Sequence, residues 1–393
     1  MKYKLEEVCN QIYSGGTPST SHKEYWNGDL PWMSSGETSQ RFVYTTEKFI
    51  TEEGVRKSST KFAKKASTVM ASAGQGHTRG QVSFLMNDMY VNQSVLVFDP
   101  NEAIVNPLYL YYNLDGRYEE LRQLSDGTST RGSLSGRIVK GMEIELPELE
   151  VQNKVVDILY SIDKKMEINI QINRNLLEQA QAYFNELFIV KALLEWEEGT
   201  LSDVGTIVAG GTPSKAQEEY YTEKGIAWIT PKDLSVDKSV FISHGECDIT
   251  ELGLQKSSAT MMPAGTVLFS SRAPIGYIAI AANEVSTNQG FKSVVPNKNV
   301  GTAYIYFLLK QLLPTIENMA SGSTFKEISG AAMKIVPTII PDDETLKKFA
   351  DFSNPIMMQI QNNELETKRL IELRDSLLPK LMSGELDVSN ITI

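Results

Sequence analysis

SGGTPS, residues Ser14 to Ser19, returns as AGGTPS, residues Ala209 to Ser214, so that Gly15 maps to Gly210 at an offset of 195. Working outward, LEEV from Leu5 meets LSDV from Leu201, and LPWMSSGE around Trp32 meets IAWITPKD around Trp228. GVRKSS from Gly54 meets GLQKSS from Gly253, STVMASA from Ser67 meets GTVLFSS from Gly265, and Asn92-Gln93 meets Asn288-Gln289. YLYYNL from Tyr109, GTSTRGSLSG from Gly127 and Pro147 have their partners in YIYFLL from Tyr304, GSTFKEISG from Gly322 and Pro341. The offset drifts only between 194 and 199, as small loop insertions produce. A period this long is a duplicated domain together with the segment that follows it, not a solenoid repeat.

Within each copy, short β-branched and aromatic runs such as SVLVFDP and GYIAIAA are punctuated by Gly, Pro, Asn and Ser, which predicts strands and turns. One helix is expected to start at Asn106-Pro107 and to carry LYLYYNLDGRYEELRQL, with proline in its first turn. The Gly-Gly-Thr-Pro-Ser segments read as tight turns that need glycine freedom and proline rigidity. Each copy is therefore expected to be mixed α/β and richer in strand.

The texture changes after Pro147. From Glu148 to Val190 there is neither Gly nor Pro, and apolar residues alternate by four and three: Val155, Leu159, Ile162, Met166, then Leu176, Ala180, Tyr183 and Leu187, with polar Asn169 and Asn173 between. This predicts a coiled-coil seam, in which a buried Asn fixes the register at some cost in stability; two ordinary amphipathic surface helices are the plain alternative, against which stand the length and the single narrow stripe. The segment after Pro341 repeats the seam as Phe349, Ile356, Ile360, Asn363, Leu370, Leu377 and Leu381, with Asn363 at offset 194 from Asn169. Arg374 occupies a nominal seam position there, and Pro355 is expected to kink or interrupt the helix. About 40 helical residues span ~60 Å. The expected fold is α+β: two similar strand-rich domains, 1–147 and 196–341, separated by two long antiparallel coiled-coil helices, 148–195 and 342–393, related by a pseudo-twofold axis.

Hydrophobic residues at 41% and charged residues at 22% place the chain among globular proteins. The absence of an apolar run of ~18 residues and of a signal-peptide core predicts a cytoplasmic protein with no membrane partner. Cys9 and Cys247, with His22, His77 and His244, are too few and too scattered for a disulfide framework or a metal site. The net charge of −11 does not exclude nucleic acid, because acidic helices can coexist with a basic reading face.

This order of segments resembles the specificity subunit of type I restriction-modification enzymes over essentially the whole chain. The resemblance is carried by the paired Gly-Gly-Thr-Pro-Ser segments, the Trp32 and Trp228 contexts, SSRAPIG from Ser270, Gly-Ser-Thr from Gly322, and LRDSLLPKLMSGEL from Leu373. It implies a non-catalytic subunit in which the two domains are target-recognition domains, each reading one half-site of a bipartite double-stranded DNA target. It further implies recruitment of two methyltransferase subunits through the helical regions, joined by ATP-driven restriction subunits. S-adenosylmethionine, ATP and magnesium would then belong to those partners, and this chain would hold no cofactor. The helices would act as a ruler one to two DNA turns long, a turn being ~34 Å.

Candidate DNA contacts fall in four groups. RKSSTKFAKK holds Arg56, Lys57, Lys61, Lys64 and Lys65 with no acid, as phosphate contact would require; a solvated loop is the plain alternative, and the second copy keeps only Lys256. SAGQGHTRGQ offers Ser72, Gln75, His77, Thr78 and Arg79, matched by Ser270, Ser271, Arg272 and Tyr277; Arg suits guanine and Gln suits adenine, with a plain polar surface loop as the alternative. Ser34, Ser35 and Glu37 follow Trp32 as Thr230, Lys232 and Asp233 follow Trp228, and their acids either accept from cytosine N4 or form turns. Thr130, Arg131, Thr324 and Lys326 are weaker candidates of the same kind. Gly74-x-Gly76 lacks the Gly-Lys-Ser/Thr of a phosphate loop, and Asn106-Pro-Leu-Tyr109 departs from the Asn-Pro-Pro-Tyr of amino methyltransferases, so both read as structure. A stand-alone methyltransferase or nuclease, and an adaptor with no DNA role, are the competing functions.

Overall fold

The computed structural model describes residues 1–74, 76–126, 132–192, 196–322 and 326–389. The chain divides into two compact units, 1–165 with 370–393, and 166–369.

The first unit is built on a five-stranded sheet of β1 (Cys9–Ser14), β2 (Phe42–Val43), β3 (Thr68–Ala71), β4 (Val82–Leu85) and β5 (Val95–Pro100), in the order β1-β5-β3-β4-β2. Only the β2–β4 pair is parallel. A four-stranded sheet carries Trp32 on its Trp26–Met33 strand. Asn106 caps α1 (Pro107–Asp115) by accepting from the amides of Leu108 and Tyr109, and Pro107 sits where no intrahelical donor is needed. The single helix expected there is in fact two, because Gly116 and Arg117 turn the chain before α2 (Tyr118–Asp126). Tyr109, Tyr111, Tyr112 and Leu114 bury α1 against the sheet, and Val155, Val156 and Leu159 of α3 (Leu149–Asn185) and Leu378 and Leu381 of a later helix close the same core.

The second unit repeats this with β6 (Gly205–Ala209), β7 (Phe241–Ile242), β8 (Val267–Ser271), β9 (Ile275–Ala281) and β10 (Lys292–Pro296), ordered β6-β10-β8-β9-β7 with β7–β9 parallel. Its core takes α4 (Thr302–Met319), Ala180 and Phe184 of α3, Leu187 of the π-helical turn Glu186–Val190 that follows it, and Leu346, Phe349, Met357 and Ile360 of α5 (Asp343–Ser383). Burying a Phe of this kind stabilises by ~1.5–3 kcal/mol.

The strand registers correct one sequence correspondence. Thr68 lies opposite Phe84, and Val267 opposite Ile280, so Thr68 pairs with Val267 at offset 199 and Ser72 with Ser271. The Thr-Val dipeptides suggested an alignment one residue earlier. Backbone geometry overrides them, since Ala66 and Gly265, with φ of 67° and 84°, occupy the same turn, and a one-residue slip would exchange the two faces of the strand.

The long helices are stabilised as both core helices and a seam. At their ends they pack on the globular cores, so the buried stripe widens to include Val156, Asp163 and Phe184 beside Val155, Leu159, Ile162 and Met166, while Leu176 and Tyr183 are half-buried. In the second unit Asn169 Nδ2 donates to Glu366 Oε2 at 2.8 Å, Asn363 Nδ2 to Asn173 Oδ1 at 2.7 Å, and Asn173 Nδ2 to the Ile360 carbonyl at 3.2 Å. Numbers that rise along α3 face numbers that fall along α5, so the pair is antiparallel, and the asparagines anchor it as expected. In the first unit, Leu377 and Leu381 continue the stripe, with Leu370 half-buried. Arg374 turns inward at its seam position to meet Asp163 at 3.2 Å. Contrary to the expected interruption, α5 runs unbroken through Pro355. Pro355 and Asp351 are both on the exposed side, so the carbonyl that loses its helical donor faces water.

Candidate nucleic-acid interface

Three motifs distant in sequence converge in each copy. Gly15 and Gly16 donate to the carbonyls of Asn92 and Val91, and Gly210 and Gly211 to those of Phe291 and Thr287. Trp32 Nε1 donates to the Gly16 carbonyl at 3.2 Å, and Trp228 Nε1 to that of Gly211 at 3.0 Å. Thr17 Oγ1 meets Gln93 Oε1, as Thr212 Oγ1 meets Gln289 Oε1. The glycines are needed for close approach and not for a turn: none has positive φ, and a Cβ on Gly15 or Gly210 would lie 1.9 Å from the Val91 or Asn288 carbonyl oxygen. A tight turn is therefore replaced by an extended segment pressed onto a neighbouring strand.

Around this frame the candidate residues separate. Glu37 is buried and accepts from the Ser34 amide at 2.7 Å and the Glu47 amide at 2.9 Å. Asp233 likewise accepts from the Thr230 amide and hydroxyl and from the Glu246 amide. Both acids are helix-capping groups, and Ser34 and Thr230 are the residues they cap, with Ser35 opening the short helix that follows. Their oxygens accept hydrogen bonds within the fold, although Asp233 also lines a cleft of the second unit. Ser72, Ser270 and Ser271 are buried, donating to the carbonyls of Ser94, Pro274 and Gly290. Arg79 pairs with Asp126 and donates to the Gly132 carbonyl at 2.6 Å, leaving its side chain 12% exposed. Tyr277 lies beneath Lys238, whose Nζ is 4.3 Å from the ring centre.

The exposed set is smaller. Arg56, Lys57, Lys61 and Lys65 face solvent beside Phe62, while Lys64 is held by Asp99 at 2.8 Å. Thr78 is half-buried, and Lys256 and Lys326 are exposed. Gln75, Thr130, Arg131 and Thr324 lie outside the described residues. Two clefts collect what remains. One of about 350 Å³ in the first unit is lined by Arg41, His77, Gln81, Asp115 and Tyr118. The other, about 540 Å³ in the second unit, is lined by Thr212, Lys215, Trp228, Thr230, Lys232, Arg272 and Gln289. Lys232 there is paired with Glu246 at 2.5 Å. A further cavity of about 560 Å³, between Phe184, Trp196 and Tyr304, is lined by none of the candidates.

Sequence reasoning missed Lys292 and Glu327, which adjoin the second cleft, and Arg41, Tyr112 and Asp163, which join the first copy to α3. The first pair left a trace, a lysine where the other copy has leucine within an apolar strand.

Among the described residues no helix is long and apolar enough to cross a membrane, and no group of three His, Cys, Asp or Glu is placed to hold a metal ion. The family model of the type I restriction-modification DNA specificity domain matches residues 1–178 and again 194–374, one match per copy. The chain belongs to this family. A type I restriction enzyme specificity subunit of Methanocaldococcus jannaschii (MjaIX) is 38% identical over 196 residues, which span 48% of this chain and 45% of that subunit. The HindI specificity subunit of Haemophilus influenzae is 25% identical over 388 residues, covering 78% and 84%. The solved S subunit from M. genitalium superposes over 97% of this chain and 95% of its own with a TM-score of 0.62 at 16% identity, which shows that the two share a fold. The paired glycine segments, tryptophans and Asn-Gln dipeptides of this specificity-domain protein are thus the frame of its duplicated fold.

Proposed function

We propose that this chain is the DNA-reading subunit of a type I restriction-modification complex, with each copy taking one half-site of a bipartite duplex target and with no catalytic step of its own. The observation that carries this is the twinned frame: the same Trp-to-glycine-carbonyl and Thr-to-Gln contacts hold Gly-Gly-Thr, Trp and Asn-Gln in both copies, while the polar residues around them differ, as two readers of different half-sites require.

Methyltransferase subunits, supplying S-adenosylmethionine chemistry, and ATP- and magnesium-dependent restriction subunits are the proposed partners, in the cytoplasm. Ile168, Ile170 and Ile172 on α3 and Leu365, Ile371 and Leu373 on α5 are exposed outside the seam, and such apolar side chains on long helices suit protein docking.

The test measures duplex affinity of the full chain against salt, then methylation with and without the partner. A steep negative slope is expected, and changing Arg56, Lys57, Lys61 and Lys65 together to Gln reduces its magnitude by up to about 4, near 0.9 per phosphate contact. Salt-independent binding, or methylation by the chain alone, would refute the proposal.

A further inference from the structure

Contacts shared by the two copies establish which positions are equivalent around the reading frame. The Leu134 amide donates to the Ser72 carbonyl as the Ile328 amide donates to that of Ser271, and Leu96 lies opposite Ser14 as Lys292 lies opposite Ala209. On this register Arg272, Lys292 and Glu327 stand where the first copy has Ala73, Leu96 and Ser133. Three charges thus stand at positions that are small, apolar or neutral in the other copy.

They are joined in space. Arg272 Nη1 lies 3.4 Å from Glu327 Oε2, and Glu327 Oε1 lies 3.9 Å from Lys292 Nζ, which also donates to the Gln289 carbonyl at 3.3 Å. Lys292 is 9% exposed, whereas the Arg272 side chain is 38% exposed and lines the cleft with Trp228, Thr230 and Gln289. Burying an ammonium is costly even when it has a carboxylate partner, and the first copy forms the same strand with leucine at that position. The fold therefore does not require the lysine.

We infer that Arg272, braced by Glu327 and through it by Lys292, is the guanine-reading side chain of the second copy. This deepens the DNA-reading proposal and rests on it. A guanidinium takes guanine O6 and N7 with two parallel N–H bonds, which demands a fixed plane; a carboxylate on one edge restricts the rotamers and leaves the opposite edge free. Lys292 holds Glu327 from below, so the carboxylate stays in place when DNA arrives. The loop arginine of the first copy, Arg79, is spent on Asp126 and Gly132, so the two copies present different chemistry and the target halves are unlike.

The test selects bound duplexes from a randomised library with the full chain and its partner methyltransferase subunits, for the native chain and for Arg272→Ala, Glu327→Gln and Lys292→Leu. The native complex is expected to select guanine at one position of one half-site. Arg272→Ala lowers that preference about 10- to 100-fold and leaves the other half-site intact. Lys292→Leu, which installs the first copy's own residue, broadens the same position without lowering the melting temperature. Unchanged selection in all three variants, or uniform weakening across sequences with a shallower salt slope, would overturn the assignment, the latter marking a phosphate contact. A native complex with no sequence preference would instead bring down the DNA-reading proposal itself.

Discussion

Replacing Asp163 by Ala should destabilise the first unit by about 3 kcal/mol, far more than loss of an exposed ion pair. The Asp163 carboxylate is almost fully buried and accepts from Arg374 Nη1 at 3.2 Å, Arg41 Nη2 at 3.2 Å and the Tyr112 hydroxyl at 2.7 Å. Removing one partner of a buried pair costs ~3–5 kcal/mol, because the other charge stays behind without compensation. Here the lower end applies: Arg41 keeps Asp115 at 2.8 Å and Arg374 keeps Asp375 at 2.7 Å, so only the Tyr112 hydroxyl is fully orphaned. For a unit of roughly 190 residues, about 3 kcal/mol lowers the melting temperature by ~6–12 °C, readable by calorimetry. At offset 194 the equivalents of Asp163 and Arg374 are Met357 and Ala180, both buried in the core of the second unit. The double change Asp163→Met with Arg374→Ala should therefore recover about half of the loss, since it fills the space and removes one of the two guanidiniums that lose a carboxylate bond, but leaves Arg41 weakened and the phenol stranded. A loss below ~1 kcal/mol for Asp163→Ala would refute the reasoning, because the network would then behave as a surface pair does.

Gly210→Ala sets a methyl against the Asn288 carbonyl and should cost ~1–3 kcal/mol or more while abolishing recognition of one half-site only; an unchanged melting temperature would show that the strands can part. Glu364 accepts from the amides of Val240 and Phe241 at 2.7 and 3.0 Å, and burial pushes its carboxyl up to about 7. The folded state then holds the proton more tightly than the unfolded one, so the contribution of Glu364 to the stability of the second unit is full below ~4.5 and is lost as pH rises through 7, by at most about 3 kcal/mol. Glu364→Gln should flatten that part of the stability profile measured by urea titration, and an identical profile would exclude the residue as its source. Inserting four residues of α3 near Asn169, about one turn, should change the tolerated spacer while preserving both half-sites, as read by mapping methylated adenines; altered half-sites would count against the helices as spacers.

The candidate site was only partly legible in the chain. Types and spacings identified loops rich in Arg, Ser, Gln and Lys, but could not say which polar groups the fold itself consumes. Glu37 and Asp233 look like free acceptors until the amides three residues before them are seen to be their partners. Ser270 and Ser271 look like a reading loop until they are found buried at the end of a strand, with their hydroxyls bonded to the carbonyls of Pro274 and Gly290. Arg79 and Arg272 are alike as letters and differ only in whether neighbouring atoms leave an edge free.

The repeat, the two long helices and their asparagine seam were determined by the sequence alone, because each is a periodicity along one chain: 195 residues for the domain and three to four for the helices. Tertiary structure alone decided the strand register, the use of the paired glycines for close approach, the meeting of Asp163 with Arg374, and the Arg272–Glu327–Lys292 relay. These depend on atoms brought together from positions tens to hundreds of residues apart, and sterics and hydrogen bonding, which set those meetings, leave no period in the chain to be read.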